Sequence, residues 1–452
     1  MEKTKGTSVK KAGFSSRLGF ILAAAGSAVG LGNLWRFPYL AAKYGGGIFL
    51  LIYLILAVTF GFALMTTEIA IGRKTGKSCI LAFAELNKKW SFVGWLAALV
   101  PIIIFPYYCV IGGWVVKFMT VYVTGQGHQA VDNSYFSNFI SGTTAPLIFL
   151  AVYLILTSVI VLCGVQNGIE KMSKILMPVL IIMTIGIGVY SLTIDGAWEG
   201  FLYYIKPNFK LFSINTVIAA MGQLFYSLSI AMGIMITYGS YMSKKDDLEK
   251  SVRHIEIFDT GIAFFAGMMI IPAVFAFSGG DTSKLKAGPT LMFITLPKVF
   301  DAMPGGHIMG GVFFVLVFFA ALTSSVSLME TIVSIIQDKL KFSRKKTCLI
   351  IIILAFAMAV PSCLGFGALK NVTILGKDFL DFFDFISNNI LMPIVGLLTC
   401  IFVGYIIKTK AVEEEVESSG EFKSVKLYRV MIKYIAPVFL LIIFLASLFL
   451  EL

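Results

Sequence analysis

Long apolar segments, separated by short polar loops, follow one another along the chain. A window of about 19 residues separates eleven such segments. They cover residues 17–38, 47–72, 91–121, 146–164, 170–193, 213–241, 249–278, 306–338, 346–366, 379–407 and 430–450. A helix needs about 20 predominantly apolar residues to cross the hydrocarbon core of a bilayer. The pattern therefore predicts an all-α polytopic membrane protein with eleven transmembrane helices, spans 1 to 11.

The basic residues concentrate in alternate loops. If the N-terminus is cytoplasmic, the inside segments hold 27 of the 37 Lys and Arg residues, and the outside segments hold 10. Cytoplasmic loops are enriched in Lys and Arg, so this bias predicts that orientation, with an external C-terminus. The chain then has an N-terminal cytoplasmic tail (1–16), a cytoplasmic loop (408–429) and a last span with a short external end (430–452). We expect the acidic run "EEEVESSGE" in that loop to be solvated.

Small and polar residues interrupt two of the spans. In span 1, the stretch "AAAGSAVGLGNLWRF" carries Gly26, Gly30, Gly32, Asn33 and Arg36. In span 6, the stretch "GQLFYSLSIAMGIMITYGS" carries Ser227, Ser229 and Gly233. Small residues also allow helices to pack closely, so packing alone is the alternative interpretation. An amide and a cation beside the glycines are not needed for packing, and they favour a broken helix.

Broken helices at corresponding positions indicate a transport site. Spans 1 and 6 are five spans apart, which predicts two five-helix repeats (17–193 and 213–407) and one extra helix. Opened backbone leaves carbonyl groups for a hard cation such as Na⁺, and the start of the second half-helix offers N–H groups to an anion. The breaks therefore predict one site that suits a cation together with a zwitterionic substrate.

Composition narrows the functional classes. Apolar residues make up 58% of the chain and charged residues 14%, with a mean hydropathy of +0.88, whereas soluble domains carry roughly 25% charged residues. The net charge of +12 is not carried by a solvated basic domain, so we expect no nucleic-acid partner. Six scattered cysteines and three separate histidines show no metal-ligand or nucleophile spacing, so we expect no enzyme. A channel would need a continuous polar lining, which the spans lack.

Several long stretches resemble one known family. The stretches "RLGFILAAAGSAVGLGNLWRFPYLAAKYGGGIFLLIYL", "PYYCVIGGW", "GQLFYSLSIAMGIMITYGSY", "AGPTLMFITLP" and "FFAALTSSVSLMETIVSIIQD" closely resemble the neurotransmitter:sodium symporters, particularly the bacterial amino-acid members. The resemblance covers almost the whole chain, apart from a twelfth helix that many members have. It implies a leucine-transporter-like fold of two inverted five-helix repeats in a bacterial plasma membrane.

The resemblance also implies an activity. The chain would import amino acids, hydrophobic or aromatic ones in particular, together with Na⁺ by alternating access, in which spans 1, 2, 6 and 7 move against the rest. The partners would be the amino acid, Na⁺ and the lipid bilayer, with no organic cofactor, and the protein would be a monomer or a weak homodimer. A sensor that binds amino acids on the same fold without transporting them is the alternative.

Two sodium sites follow from the resemblance by position. The first would use Ala28, Asn33, Ser227 and Asp259, completed by the substrate carboxylate. The second would use Gly26, Val29, Ala320, Thr323 and Ser324. Animal members place chloride near the first site and bacterial members a carboxylate, so Asp259 implies independence of chloride. Taken alone, Asp259 could instead cap a helix or be solvated, and the hydroxyls of Thr323 and Ser324 could bond back to their own helix.

The implied substrate pocket draws on four spans. Its residues would be Ala28, Gly30, Leu31, Gly32, Ile104, Tyr108, Tyr226, Ser227, Ser229, Met232, Ser324 and Leu328. Family members that carry amines without a carboxylate have Asp where this chain has Gly30, so glycine leaves room for a carboxylate. The Tyr108 hydroxyl would donate to that carboxylate, although "YY" in span 3 could also be ordinary core aromatics.

Charged residues near both ends of the spans would act as gates. The family's outer gate corresponds to Arg36 and Asp384, with Asp381 as an alternative partner and Tyr226 as a lid. An Arg inside a membrane costs roughly 2.5–3.5 kcal/mol on insertion scales unless it faces water or a partner. The inner gate would pair Lys11 with Asp338. We expect Glu68 and Gln223 to support the broken segments through partners that the sequence does not identify.

Overall fold

Helices form nearly all of the computed structural model, which describes residues 13–280 and 288–449. In these residues nine helices are long and apolar enough to cross a membrane: α2 (Gly47–Thr75), α3 (Lys88–Val123), α4 (Thr144–Leu162), α5 (Val165–Ser191), α7 (Leu248–Ser278), α8 (Gly306–Leu340), α9 (Arg344–Leu364), α10 (Phe379–Ile406) and α11 (Val425–Leu448). Each coincides with a predicted span. The shorter helices include Cys79–Leu86, Asn133–Ser141, Ala197–Ile205, Leu296–Ala302 and Lys410–Glu417.

The two interrupted spans are the two that form half-helices. Span 1 is the pair α1a (Arg17–Ala28) and α1b (Gly32–Lys43), bent by 53° at the break. Span 6 is the pair α6a (Ile214–Ser227) and α6b (Ile234–Tyr241), separated by six residues without helical structure. Counting each pair as one crossing would give eleven, and this number stays a prediction.

Two side-chain hydrogen bonds stabilise the break in α1. Val29 turns to extended backbone (φ −73°, ψ 102°), which ends α1a. The side-chain Oδ1 of Asn33 then accepts the N–H of Gly30 at 3.0 Å. The side-chain Nε2 of Gln223 donates to the carbonyl of Gly32 at 3.0 Å. Side-chain amides from the same segment and from α6a thus add hydrogen bonds to the backbone at the break, where the regular helical pattern is interrupted.

The break in α6 holds two residues other than glycine in left-handed backbone. Ser229 has φ 53° and Ala231 has φ 64°, with Gly233 at φ 70°. Such a conformation costs of order 1–3 kcal/mol for a residue with a Cβ atom, so its surroundings must hold it in place. Ser229 Oγ donates to the carbonyl of Ser27 at 3.0 Å, and the N–H of Ala231 donates to Glu68 Oε1 at 2.7 Å. Glu68, on α2, therefore has the supporting role expected of it.

Close packing of backbones joins α2 to α6b. A Cβ atom on Gly72 would collide with the Ile236 carbonyl oxygen, and one on Gly239 would collide with the Ile69 carbonyl oxygen. The glycines allow the two helix backbones to touch, so both are needed for packing rather than for conformational freedom. In the centre of the molecule, 83% of the most apolar stretch of α3 and of α8 is buried, against 33% for α5 and α11.

The loop between α10 and α11 is not a solvated acidic face. Its helix Lys410–Glu417 buries Glu413 and Glu415. Buried Arg73, at the end of α2, donates Nε–H to Glu415 Oε1 at 2.7 Å, and Lys244 donates to the same oxygen at 2.7 Å. The expectation of a solvated run is therefore wrong at these two positions, because cations from neighbouring elements neutralise the carboxylates.

Further contacts make this loop a connector between several helices. Arg73 Nη1 donates to the Asp246 carbonyl at 2.8 Å and to Ser419 Oγ at 3.0 Å. Arg429, on α11, donates to both carboxylate oxygens of Glu413 at 2.7 Å, and these hydrogen bonds lower the pKa of Glu413. The loop thus ties the ends of α2 and α11 to the loop between α6b and α7.

Replacing Arg73 with Ala should lower the thermal stability of the protein. Breaking a buried ion pair costs about 3–5 kcal/mol, less the part that Lys244 restores through its own contact with Glu415. Thermal unfolding of the purified protein in detergent measures the change. The control is Lys410→Ala, which removes an exposed pair with Glu414 at 3.9 Å and should cost about 0–1 kcal/mol. Equal unfolding temperatures for the two variants would contradict the role of Arg73.

Replacing Glu68 with Ala should destabilise the α6 break. The N–H of Ala231 would stay buried without an acceptor, at a cost of about 1–3 kcal/mol, whereas Glu68→Gln keeps a carbonyl oxygen in place. The unfolding temperature should therefore fall for Glu68→Ala and stay near that of the unmodified protein for Glu68→Gln. If Glu68→Gln is as unstable as Glu68→Ala, the hydrogen bond to Ala231 is not what Glu68 contributes.

Candidate functional site

Both breaks open onto one cavity with about 420 Å³ of empty volume. All twelve residues of the pocket expected from the sequence line it: Ala28, Gly30, Leu31, Gly32, Ile104, Tyr108, Tyr226, Ser227, Ser229, Met232, Ser324 and Leu328. The sequence analysis did not assign Ser27 and Ile234 to this wall, and it gave Asn33 to sodium alone. Ser27 lies within the first interrupted segment and Ile234 directly follows the second, so proximity to the breaks was a usable signal for both.

The cavity has an apolar wall and a polar end. The wall consists of Ile104, Met232, Ile234 and Leu328. At the polar end, the buried hydroxyl of Tyr108 has no hydrogen-bond partner among the described residues. Buried hydroxyls are normally satisfied, so an unpaired one facing a cavity is a candidate donor to a ligand. The arrangement suits a molecule with one apolar and one polar end.

Gly30 is required by the space at the polar end. A Cβ atom at this position would lie 2.7 Å from Ser324 Oγ and 3.4 Å from the Tyr108 hydroxyl. Any side chain would therefore push against the hydroxyls that border the cavity. Glycine leaves that volume to a ligand.

A buried carboxylate joins the two broken helices to α7. Asp259 is fully buried, so it is neither a solvated side chain nor a surface helix cap. Its Oδ1 accepts Asn33 Nδ2–H at 2.8 Å and the Ser227 hydroxyl at 2.8 Å, and its Oδ2 accepts the Tyr53 hydroxyl at 3.3 Å. Three of the four residues expected at the first sodium site are thus in direct contact, and the fourth, Ala28, lines the same cavity. Tyr53, which the sequence analysis missed, is the α2 partner of Asp259.

The residues expected at the second sodium site meet where α1a touches α8. Ser324 Oγ lies within hydrogen-bond distance of two carbonyl oxygens, that of Ser27 at 3.2 Å and that of Val29 at 3.3 Å. A Cβ atom on Gly26 would lie 3.3 Å from Thr323 Cβ. Thr323 Oγ1 donates to the carbonyl of Ala320 at 3.0 Å, which is the bond within one helix that the alternative interpretation described. A hydroxyl that donates its proton keeps acceptor lone pairs, so this bond and ion binding are compatible.

The chemistry of both sets suits a hard cation. Their donors are carboxylate, amide, hydroxyl and carbonyl oxygens, the kind of ligand that hard cations prefer. In the described part of the chain, no group of three or more His, Cys, Asp or Glu side chains is placed to hold a metal ion. A transition-metal centre therefore has no ligand set in residues 13–280 and 288–449.

The two residues of the expected outer gate, Arg36 and Asp384, contact different side chains. The Arg36 guanidinium lies 5.3 Å from the ring centre of Tyr226, which lines the cavity. Asp384 instead accepts hydrogen bonds from Tyr107 at 3.1 Å and from Asn388 at 2.6 Å. Within the described residues, Arg36 and Asp384 form no ion pair within 4.0 Å, and Asp381 is exposed. Tyr107 and Asn388 were missed because nothing in the sequence distinguishes them from other polar side chains in a span.

The expected inner gate is described only in part. Lys11 lies outside the described residues. Its expected partner, Asp338 on α8, accepts the N–H of Ser78 at 2.7 Å through Oδ2. Ser78 immediately precedes the short helix Cys79–Leu86, so Asp338 also caps the start of that helix.

The chain is similar to known proteins over almost its whole length. The chain is 33% identical over 452 residues to an uncharacterized sodium-dependent transporter of Haemophilus influenzae, covering 96% of this chain and 98% of the relative. It is also 33% identical to an uncharacterized sodium-dependent transporter of Bacillus subtilis, covering 96% of each chain. The crystal structure of MhsT in complex with L-phenylalanine matches with a TM-score of 0.87 and 38% identity, covering 97% of this chain and all of that one.

These likenesses confirm the expected fold and the general activity. The close match to MhsT confirms an all-α, leucine-transporter-like membrane fold. The relatives are sodium-dependent transporters and not enzymes, so this chain is one of a family that uses Na⁺ to move a substrate across a membrane. Residues 11–138 and 135–451 match the Sodium:neurotransmitter symporter family, and the chain belongs to that family.

Proposed function

We propose that this protein imports hydrophobic or aromatic L-amino acids across a bacterial plasma membrane, driven by Na⁺ and without a need for chloride. The observation that carries the proposal is the cavity between the two breaks, where an apolar wall faces an unpaired tyrosine hydroxyl and a buried carboxylate cluster adjoins. The structure of MhsT with L-phenylalanine supports the choice of substrate class, since that protein has 38% sequence identity to this one.

The substrate would bind with its two ends in different surroundings. Its α-carboxylate accepts the Tyr108 hydroxyl in the space that Gly30 leaves open. Its side chain lies against Ile104, Met232 and Leu328, and Met can adapt to side chains of different shape. A charged side chain would lose its hydration against this wall without gaining a partner, which disfavours charged amino acids.

Coupling would arise from a carboxylate shared by ion and substrate. The first Na⁺ binds beside Ala28, Asn33, Ser227 and Asp259, and the substrate carboxylate completes the ligand set. The second binds between Gly26, Val29, Ala320, Thr323 and Ser324. The substrate carboxylate supplies a ligand to the first Na⁺, and that Na⁺ supplies a positive charge to the carboxylate. Binding of either therefore strengthens binding of the other.

Alternating access would use the gates on both sides of the cavity. Tyr226 closes the outer side under Arg36 and Asp384, and Lys11 with Asp338 closes the inner side. Spans 1, 2, 6 and 7, two from each of the five-helix repeats 17–193 and 213–407, would move against the remaining spans. The N-terminal tail (1–16) and the loop 408–429 face the cytoplasm in this arrangement.

Uptake into proteoliposomes tests the proposal. An inward Na⁺ gradient should drive accumulation of radiolabelled L-phenylalanine or L-leucine, and replacing Na⁺ with K⁺ or Li⁺ should abolish it, because both sites then lose their ion. In a competition panel of all twenty amino acids, the hydrophobic and aromatic ones should compete and the charged ones should not. Substrate binding without accumulation would instead favour a sensor, and accumulation that persists in K⁺ would overturn the coupling to Na⁺.

Replacing Asp259 with Ser should make transport depend on chloride. The variant removes the buried negative charge beside the first sodium site, and a chloride ion could restore it. In chloride-free medium the initial rate of uptake should fall about tenfold or more, and chloride should restore part of it. The matched control is Asp301→Ser, which removes an exposed carboxylate and should leave uptake indifferent to chloride. An Asp259→Ser variant that transports equally well with and without chloride would remove Asp259 from this role.

A further inference from the structure

The connection between α5 and α6a exposes bulky apolar side chains and two lysines together. Exposure reaches 57% for Trp198, 71% for Phe209, 55% for Phe212 and 68% for Ile214. Lys206 and Lys210 are also exposed and lie within this run. Aromatic side chains beside lysines are typical of segments at the boundary between the headgroups and the hydrocarbon of a membrane.

An open groove lies along this connection. Its lining includes the two lysines Lys206 and Lys210, the polar Asn208 and Tyr203, and the apolar Leu202 and Phe209. The residues that line it include no Asp or Glu. In the described part of the chain neither lysine forms an ion pair within 4.0 Å. The groove is therefore positively charged and is bordered by exposed apolar side chains.

Nearby charges do not neutralise the two lysines. Asp195 and Glu199 lie before and at the start of the helix Ala197–Ile205, whereas Lys206 and Lys210 follow its end. Lys43, at the end of α1b, adds a further positive charge on the neighbouring element, with its Nζ atom 5.1 Å from the ring centre of Tyr44.

The groove rests on the turn that joins α1b to α2. The Tyr203 hydroxyl donates to the carbonyl of Ala42 at 2.7 Å, and Gly46 pairs with Pro207 in an isolated β-bridge. A Cβ atom on Gly47 would collide with the backbone of Lys206. The helix α1b carries Arg36, so the groove is attached to the half-helix that bears the expected outer gate.

We propose that one anionic phospholipid binds this groove, with its phosphate between Lys206 and Lys210 and its acyl chains against Phe209, Phe212 and Ile214. A phosphodiester supplies the negative charge that the groove lacks, and the acyl chains cover the exposed aromatic and aliphatic side chains. The predicted outside segments hold 10 of the 37 Lys and Arg residues, and two of these ten line this groove. The lipid braces the turn between α1b and α2, and its binding does not depend on which substrate the protein carries.

Native mass spectrometry of the full-length protein tests the proposal. The protein is reconstituted into nanodiscs with phosphatidylglycerol and phosphatidylcholine and then released into detergent. The unmodified protein should retain one phosphatidylglycerol in preference to phosphatidylcholine. The double variant Lys206→Gln/Lys210→Gln should retain it roughly fivefold less or weaker still, because each lysine near an anionic lipid contributes to the attraction.

Two control variants separate this site from general charge effects. Lys206→Arg/Lys210→Arg keeps both charges and should retain the lipid. Lys370→Gln removes an exposed lysine from another outer loop and should leave retention unchanged. Thermal unfolding of each variant shows whether its fold is intact, and a double Gln variant that retains as much phosphatidylglycerol as the unmodified protein overturns the proposal.

A soluble phosphate distinguishes the source of the anion. Glycerol 3-phosphate at millimolar concentration should not displace the bound lipid, since it has no acyl chains to cover the apolar side chains. Complete displacement would mean that the groove takes a soluble phosphate and would overturn the proposal of a membrane lipid.

Discussion

Backbone polar groups that a membrane helix exposes at a break need hydrogen-bond partners inside the protein, and this requirement organises the molecule. Each break here is held by side chains of another helix: Gln223 reaches Gly32 from α6a, and Glu68 reaches Ala231 from α2. A break can persist in a bilayer only where such partners or a ligand replace the lost bonds. The proposed sodium sites use other residues of the same interrupted segment, Gly26, Ala28 and Val29, so the structural requirement and the proposed transport site lie at one place.

The buried carboxylate of Asp259 extends this principle from hydrogen bonds to charge. It accepts hydrogen bonds from α1b, α6a and α2, through Asn33, Ser227 and Tyr53. A buried charge is costly unless it is hydrogen-bonded or paired, and a bound Na⁺ beside it would supply the pair. In the proposed mechanism, this carboxylate is the negative charge that chloride supplies in animal members of the family. Asp259, on α7, thus joins α1b, α2 and α6a to α7 at one point.

Two segments away from the cavity, the loop between α10 and α11 and the connection between α5 and α6a, contact helices that are proposed to move. On one side, the loop between α10 and α11 holds the ends of α2 and α11 through Arg73, Glu415 and Arg429. On the other, the connection between α5 and α6a contacts the turn after α1b through Tyr203. Two of the helices that are proposed to move, α1 and α2, are therefore attached to segments outside the cavity. The proposed lipid and the buried ion pairs would set how readily those helices move, whereas the cavity sets what is carried.

The helical spans and the two breaks follow from the sequence alone, and the family resemblance adds twelve of the fifteen residues that line the cavity. Hydropathy and small-residue patterns lie within single helices, so neighbouring positions in the sequence are enough to recognise them. The family motifs show which positions correspond to known site residues. Only the tertiary structure decided which side chains meet. Glu68 and Ala231 are 163 residues apart and Tyr53 and Asp259 are 206 apart, so no local pattern links them. Glu413 and Glu415 are a second example. The sequence predicts that they are solvated, whereas in the folded chain Arg429 and Arg73 donate hydrogen bonds to them. Burial and charge pairing depend on what approaches from elsewhere in the chain, and the folded arrangement of helices alone determines that.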